Sequence, residues 1–152
     1  MLLSELLSAD RVRVPLGSRT KSEVLRELVE LVATGREGAD VGAILASVHE
    51  REQVLSTGIG DGIAIPHGRS PYVSDLVLAA GVSGEGIEYD ALDGKPVRLF
   101  FMLIGPEAAS GAHVKALSRI SRLMRREDLR AQLVRASSPD EFLRLISSSE
   151  AA

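Results

Sequence analysis

Two long, mainly apolar runs constrain the fold of this chain more than any other feature of the sequence. They occupy residues 75–82 and 97–104, and glycine or proline bounds them. A strand with one face in water alternates polar and apolar residues, whereas a continuous apolar run is typical of a strand covered on both faces. The two runs therefore predict a central sheet sandwiched by helices, although the sequence does not specify the order of its strands.

Helical periodicity surrounds these runs and predicts the layers that cover the sheet. Arg11–Pro15 alternates as a short strand does, and Pro15 ends this strand or places it at an edge. A first helix is predicted from Thr20, with a Thr20-x-x-Glu23 capping box at its start and Gly35 at its end. A second runs from about Asp40 to the charged trio 50–52. Three more are predicted: from Ala112, over 129–134, and from Ser138, where Pro139 takes the first helical position. The fold class is α/β, and we expect residues 1–152 to form a single domain.

Composition excludes several classes of protein. Hydrophobic residues make up 45% and charged residues 26%, which is ordinary for a globular protein, and cysteine is absent. A net charge of −3 with three Phe, two Tyr and no Trp argues against a dedicated nucleic-acid surface. The apolar runs fall short of a membrane helix, and the first residues lack the basic start of a secretory signal. We therefore expect a soluble, cytoplasmic protein.

His67 is the residue most suited to chemistry. It lies in a segment, 53–70, that is too rich in glycine to be a regular helix and in which Pro66 fixes the backbone just before the imidazole. The glycines upstream, at 58, 60 and 62, would let backbone N–H groups approach an anion, and Arg51 and Arg69 supply positive charge nearby. A phosphate suits such a site. The competing interpretation is a structural histidine that is hydrogen-bonded within a glycine-rich turn.

Of the other two histidines, His113 is the better candidate for a residue of the same site. His113 follows Ser110-Gly-Ala in the first turn of a predicted helix, where the helix dipole favours anions and lowers an imidazole pKa. A surface histidine is an equal alternative there. If His67 and His113 meet, a phosphoryl group could sit between them. His49 fits a solvated helix face better.

Other kinds of site have little support. The glycines from Gly58 do not complete a dinucleotide-binding loop, and neither a P-loop nor a zinc-binding His pair is present. No elbow motif presents a serine nucleophile beside His67. The Arg119-x-x-Arg122-x-x-Arg125-Arg126 cluster fits a solvated helix face, with an acidic protein partner as the alternative.

The segment Ser56-Thr-Gly-Ile-Gly-Asp-Gly-Ile-Ala-Ile-Pro-His67 resembles the active-site segment of the type-2 IIA domains of the bacterial phosphoenolpyruvate-dependent phosphotransferase system. The resemblance extends to 89–97, 103–107 and 112–124, and so covers nearly the whole chain. Fructose and mannitol IIA domains and nitrogen-regulatory IIA proteins share these motifs. The segment Ser118-Arg-Ile-Ser-Arg-Leu looks closer to the nitrogen-regulatory branch.

The resemblance implies a phosphohistidine carrier with a mixed sheet flanked by helices. His67 would accept a phosphoryl group from an HPr-like phosphocarrier, Arg51 and His113 would support that group, and Ser56 and Thr57 match the adjoining hydroxyl positions. No metal, nucleotide or other cofactor is implied. Asp61 departs from the Asn or Lys frequent in the family, and we expect its side chain to point into solvent.

Three functions follow from this resemblance. The first is a regulatory carrier whose phosphorylation state controls other proteins, such as a sensor kinase or a potassium transporter. The second is a sugar-specific IIA component that passes the group to a IIB domain of a fructose- or mannitol-type permease. The third is a binding protein whose site no longer turns over, although Arg51, His67 and His113 are all present.

Overall fold

A six-stranded mixed sheet forms the centre of the molecule in a computed structural model that describes residues 1–151. The strands are β1 (Val12–Arg13), β2 (Gly58–Gly60), β3 (Ile63–Ala64), β4 (His67–Arg69), β5 (Val77–Ile87) and β6 (Val97–Gly105). The helices are α1 (Leu3–Leu6), α2 (Lys21–Ala33), α3 (Val41–Val54), α4 (Ser110–Leu123), α5 (Glu127–Val134) and α6 (Pro139–Ala151). The predicted α/β class with a mixed sheet is confirmed.

The two apolar runs become the longest strands, β5 and β6, and these pair antiparallel in the middle of the sheet. The order is β1-β5-β6-β3-β2, so β1 lies at an edge, as Pro15 predicts. Strands β3 and β4 both run parallel to β6 along its other side, with Ile63 opposite Leu99 and His67 opposite Leu103. This register places His67 near the end of β6, from which the chain leads into α4.

Alternate side chains of β6 pack into two separate hydrophobic cores, one on each face of the sheet. Phe100 and Met102 pack with the apolar face of α2 and α3, whereas Phe101 and Leu103 pack with α4, α5 and α6 on the opposite side. Successive side chains of a strand point to opposite faces, so a strand with apolar residues on both faces requires a cover on each. The predicted helices on both sides of the sheet are therefore confirmed.

Side-chain caps begin three of the helices where the sequence predicts them. Thr20 and Glu23 form the complete capping box of α2, the Asp40 carboxylate accepts from the N–H of Ala43, and the Ser138 hydroxyl accepts from the N–H of Glu141. Each cap satisfies backbone N–H groups that have no partner within the helix. Helix α3 continues past the predicted end at residues 50–52 to Val54, because charged side chains do not themselves break a helix.

We expect Phe101→Ala to lower the free energy of unfolding by about 3–5 kcal/mol, since it leaves a cavity in the core. The Phe101 ring is buried, with its centroid 5.9 Å from that of Phe142 in α6. Denaturant unfolding followed by circular dichroism measures the loss. Leu92→Ala is the control, because this leucine is 59% exposed and should change stability by less than about 1 kcal/mol. Equal losses in the two variants would contradict the assignment of the core.

Candidate functional site

An open cavity of about 830 Å³ lies between α3, β4 and the beginning of α4. Its lining includes Arg51, His67, Arg69 and His113. These side chains come from distant parts of the sequence and meet because β4 lies beside β6, which leads directly into α4. The structure thus brings together the two histidines and the two arginines that the sequence singles out.

A hydrogen bond to the backbone determines which nitrogen of His67 is free. Nδ1 lies 2.9 Å from the carbonyl oxygen of Ile65, two residues earlier. A carbonyl oxygen only accepts, so Nδ1 carries the proton and Nε2 keeps its lone pair. His67 therefore offers Nε2 as a nucleophile.

Gly68 allows helix α3 to lie directly against the strand that carries His67. A Cβ at this position would lie 2.9 Å from the Ser47 hydroxyl oxygen and 3.2 Å from the backbone nitrogen of Val48. The same hydroxyl accepts from the N–H of Arg69 at 2.9 Å. Close packing here sets the distance between Arg51 on the helix and His67 on the strand.

His113 faces His67 from the first turn of α4. The ring centroids are 5.5 Å apart, and the planes cross at 60°. His113 is only 2% exposed, so the alternative of a surface histidine is wrong. Within residues 1–151 neither of its ring nitrogens has a hydrogen-bond partner. A ring buried at the side of a cavity with both nitrogens unpaired is suited to contact a ligand there.

Burial keeps both imidazoles neutral. It lowers the pKa of His67 below 6.5, an effect that the Ile65 hydrogen bond opposes and the Arg51 charge reinforces. For His113, burial together with the charge of Arg69 and the proximity of His67 lowers the pKa to about 4. At neutral pH one imidazole can therefore attack an electrophile while the other donates an N–H to it.

The two arginines supply the positive charge of the cavity. Arg51 projects from the last turns of α3 and donates from Nη1 to the carbonyl oxygen of Leu55 at 2.8 Å. Arg69 donates from Nη1 to the Ser110 hydroxyl at 3.0 Å and to the Glu107 carbonyl oxygen at 3.3 Å. Arg69 thus ties β4 to the start of α4, which holds the His113 helix against the His67 strand.

Ser56 and Thr57 lie in the loop behind Arg51, and their hydroxyls bond to other protein groups. The Ser56 hydroxyl donates to the carbonyl oxygen of Tyr89 at 3.2 Å and accepts from the N–H of Gly58 at 3.1 Å. Thr57 is buried, and its hydroxyl bonds to Glu52 and Tyr89. Neither residue lines the cavity of His67.

The glycines upstream of His67 are not at the cavity either, contrary to the expectation that they approach an anion. Gly58 packs against Ala91, and Gly60 adopts a φ of 102° beside the carboxylate of Asp93. Both belong to a tight hairpin at the far end of β3, where a side chain would collide with its neighbours or strain the backbone. Asp61 is exposed on this hairpin, as expected, and lies outside the cavity.

Sequence reasoning missed a buried charged group beside Arg51. The charged trio 50–52 was expected only to mark the end of a helix, yet Glu52 is 9% exposed. Its carboxylate pairs with Lys21 Nζ at 3.0 Å and accepts from the Tyr89 hydroxyl at 2.9 Å. Only helical spacing from Ile44 and Val48, which are eight and four residues earlier on the same buried side, signals this burial.

The remaining candidates lie outside this cavity. His49 is partly exposed on α3, in agreement with its solvated interpretation. Arg122, Arg125 and Arg126 are exposed along the end of α4 and beyond it, and Arg119 pairs with Glu150 at 3.1 Å. No helix within residues 1–151 combines the length and apolar character needed to cross a membrane.

We expect the imidazole of His67 to titrate below pH 6.5 and that of His113 near pH 4, since burial opposes their charged forms. Both groups have lowered pKa values in the folded protein, so the unfolded chain binds more protons and stability falls as the pH drops below about 6.5. NMR titration of the ring signals measures the midpoints. A His67 midpoint at or above 6.5 would contradict the described environment.

Comparison with known proteins gives one consistent family. Residues 5–149 match the model of the phosphoenolpyruvate-dependent sugar phosphotransferase system, EIIA 2. The chain is 38% identical over 146 residues to the fructose-specific EIIABC component of Bacillus subtilis, covering 96% of this chain but only 23% of that protein. It is 33% identical to a nitrogen regulatory protein of Pseudomonas aeruginosa, covering 95% of this chain and 94% of that one.

A solved structure agrees with these sequence matches. The nitrogen regulatory protein IIA-Ntr from Neisseria meningitidis superposes with a TM-score of 0.88 at 30% identity, covering 95% of this chain and 98% of that one. Proteins of this family are phosphotransferase components that carry a phosphoryl group on a histidine. A structural neighbour with the same fold, the IIA mannitol enzyme of Escherichia coli, is solved in complex with phosphorylated enzyme IIB. The chain therefore belongs to the EIIA type-2 family of the phosphoenolpyruvate-dependent phosphotransferase system.

Proposed function

We propose that Nε2 of His67 accepts a phosphoryl group from the phosphohistidine of an HPr-like phosphocarrier. The protein then either transfers this group to a partner protein or controls a partner protein through its phosphorylation state. The observation that carries this proposal is the hydrogen bond between Nδ1 of His67 and the Ile65 carbonyl, which leaves Nε2 free beside His113 and Arg51. Neither a metal nor a nucleotide takes part in the proposed step.

The proposed transfer exchanges one nitrogen–phosphorus bond for another. The Nε2 lone pair attacks phosphorus while the bond to the donor imidazole breaks, and its electron pair returns to the donor ring. The Nδ1 proton stays on His67, whose ring becomes cationic and binds the Ile65 carbonyl more strongly. Such a transfer needs alignment and charge stabilisation more than proton transfer.

Three features of the cavity stabilise the negative charge of the phosphoryl oxygens in this proposal. The Arg51 guanidinium neutralises their charge from the α3 side of the cavity, and neutral His113 donates an N–H from the α4 side. The positive end of α4 adds to this field. Ser56 and Thr57 support the site through the loop behind Arg51, since their hydroxyls bond to protein groups.

The rim of the cavity suits the docking of a carrier protein. Val54 is 79% exposed and Val114 63%, and both line the cavity on opposite sides. Apolar side chains around a polar centre exclude water when two proteins meet, which strengthens the electrostatic interactions inside.

We assign the chain to the regulatory, nitrogen-type branch, which acts in the cytoplasm by binding targets such as a sensor kinase or a potassium transporter according to its phosphorylation state. The support is the match to nitrogen regulatory proteins over nearly the full length of both chains and the agreement with the IIA-Ntr structure. The alternative is a sugar-specific component that passes the group to a IIB domain. The identities of 38% and 39% to fructose-specific proteins favour this alternative.

The test is phosphoryl transfer in vitro. The purified protein is incubated with phosphoenolpyruvate, enzyme I and an HPr-type carrier, and its intact mass is followed. We expect the gain of one acid-labile phosphoryl group. Absence of any gain with several active carriers would overturn the proposal and favour a binding protein. Rapid transfer onward to a purified fructose-type IIB domain would favour the sugar-specific alternative.

A further inference from the structure

A buried carboxylate joins the end of helix α3 to the loop that follows it. Glu52 accepts from the N–H of Thr57 at 3.3 Å and from the Thr57 hydroxyl, while Lys21 and Tyr89 complete its partners. A buried charge is tolerated only when its hydrogen bonds are satisfied, and removing one partner leaves an unpaired group. Glu52 therefore fixes Thr57 in one position.

The first connection from Thr57 leads to His67. The carbonyl oxygen of Thr57 accepts from the N–H of Ile65 at 3.0 Å, and the carbonyl oxygen of Ile65 accepts from Nδ1 of His67 at 2.9 Å. Ile65, whose carbonyl determines the tautomer of His67, is thus held by Thr57, and Thr57 is held by Glu52.

The second connection leads to Arg51. Its guanidinium donates to the carbonyl oxygen of Leu55, which lies in the short loop that Thr57 anchors. Arg51 also directly precedes Glu52 on α3. The loop conformation therefore sets the position of the cation as well as the orientation of the ring.

We propose that the Glu52–Thr57 pair positions the two groups on which phosphoryl transfer depends, the Nε2 lone pair of His67 and the Arg51 guanidinium. This inference rests on the proposed function. Thr57 and Glu52 are positioning residues and touch neither the donor nor the phosphoryl group. The pair explains why a threonine lies in this segment although its hydroxyl is directed away from the cavity.

The test compares Thr57→Ala with Thr57→Ser. The alanine variant loses the hydroxyl bond to Glu52, and we expect kcat for uptake from the phosphorylated carrier to fall about 10–100-fold, since small displacements of reacting groups have effects of this size. KM for the carrier should change less than about threefold, because the docking rim is unaltered. The serine variant keeps the hydroxyl and should recover most of the rate. Thr34→Ala is the control, because this exposed threonine lies just beyond α2 and its hydroxyl donates only to the backbone carbonyl oxygen of Glu30 among the described residues.

A second measurement does not depend on activity. Nitrogen-15 NMR of the His67 ring should show the Nδ1-protonated tautomer in the wild type and a growing share of the Nε2-protonated tautomer in Thr57→Ala. If this variant does not fold, Glu52→Gln, which keeps the size of the side chain, is measured in the same two ways.

Each outcome decides one of the two proposals. Unchanged kcat and an unchanged tautomer in a folded variant would overturn the positioning role, as would a serine variant as slow as the alanine variant. A wild-type protein that takes up no phosphoryl group would overturn the proposed function, and the ring tautomer alone would then decide the positioning role.

Discussion

His67→Gln is expected to abolish the uptake of a phosphoryl group from an HPr-type carrier. The amide cannot act as the nucleophile, and loss of a nucleophile typically reduces turnover by at least about a thousandfold. His67 is half-buried at the side of an open cavity, so a glutamine of similar length should leave the fold intact. Intact-mass time courses at fixed carrier concentration measure the effect.

The control for this variant is His49→Gln, since this partly exposed imidazole lies on α3 outside the cavity lining. It should accept a phosphoryl group at the wild-type rate. Persistent, acid-labile phosphorylation of His67→Gln would move the acceptor to another histidine and would contradict the assignment of Nε2.

Arg51→Ala is expected to slow phosphoryl uptake about 100- to 1,000-fold, the effect of removing one preorganised group that stabilises charge in a transition state. The carrier should still bind, because the exposed apolar side chains of the rim remain. Single-turnover mixing with phosphorylated carrier separates the chemical step from binding. Arg51→Lys keeps a charge but lacks the planar fork, and we expect a smaller loss.

Arg26→Ala serves as the control for Arg51→Ala, because it removes an exposed arginine of α2 whose ion pair is with Glu30. Its rate should equal that of the wild type. A loss of less than about threefold in Arg51→Ala would mean that charge in the cavity comes from Arg69 and the α4 dipole.

Much of the fold could be predicted because the relevant patterns are local. Apart from Asp75 and Arg98, the runs at 75–82 and 97–104 are apolar or glycine, and both became central strands with a core on each face. Thr20, Asp40 and Ser138 each place an oxygen before a helical stripe, and each caps a helix. Helix ends were less certain: α4 begins at Ser110 rather than Ala112, and α3 runs to Val54.

The candidate site was predicted in its parts but not in its arrangement. Residue types and the family resemblance singled out His67, His113 and Arg51, which do line one cavity. The sequence assigned the glycines at 58, 60 and 62 to ligand contact, whereas they build a hairpin elsewhere. It gave no role to Glu52 or Lys21, because the only local sign that Glu52 is buried is its helical spacing from Ile44 and Val48, and that spacing does not name the partners of its carboxylate.

The sequence by itself determined the class of fold, the family and the residue types available for chemistry, since periodicity, capping and motif spacing are properties of neighbouring residues. Only the tertiary structure decided which side chains meet. The register of β4 on β6 places His67 beside α4 and brings its ring within 5.5 Å of His113. Helix α3 packs on Gly68, and Glu52 further along this helix is buried against Lys21 and Tyr89, where its hydrogen bonds hold the loop behind Arg51. These contacts depend on pairing and close packing between distant segments, and no local pattern encodes them.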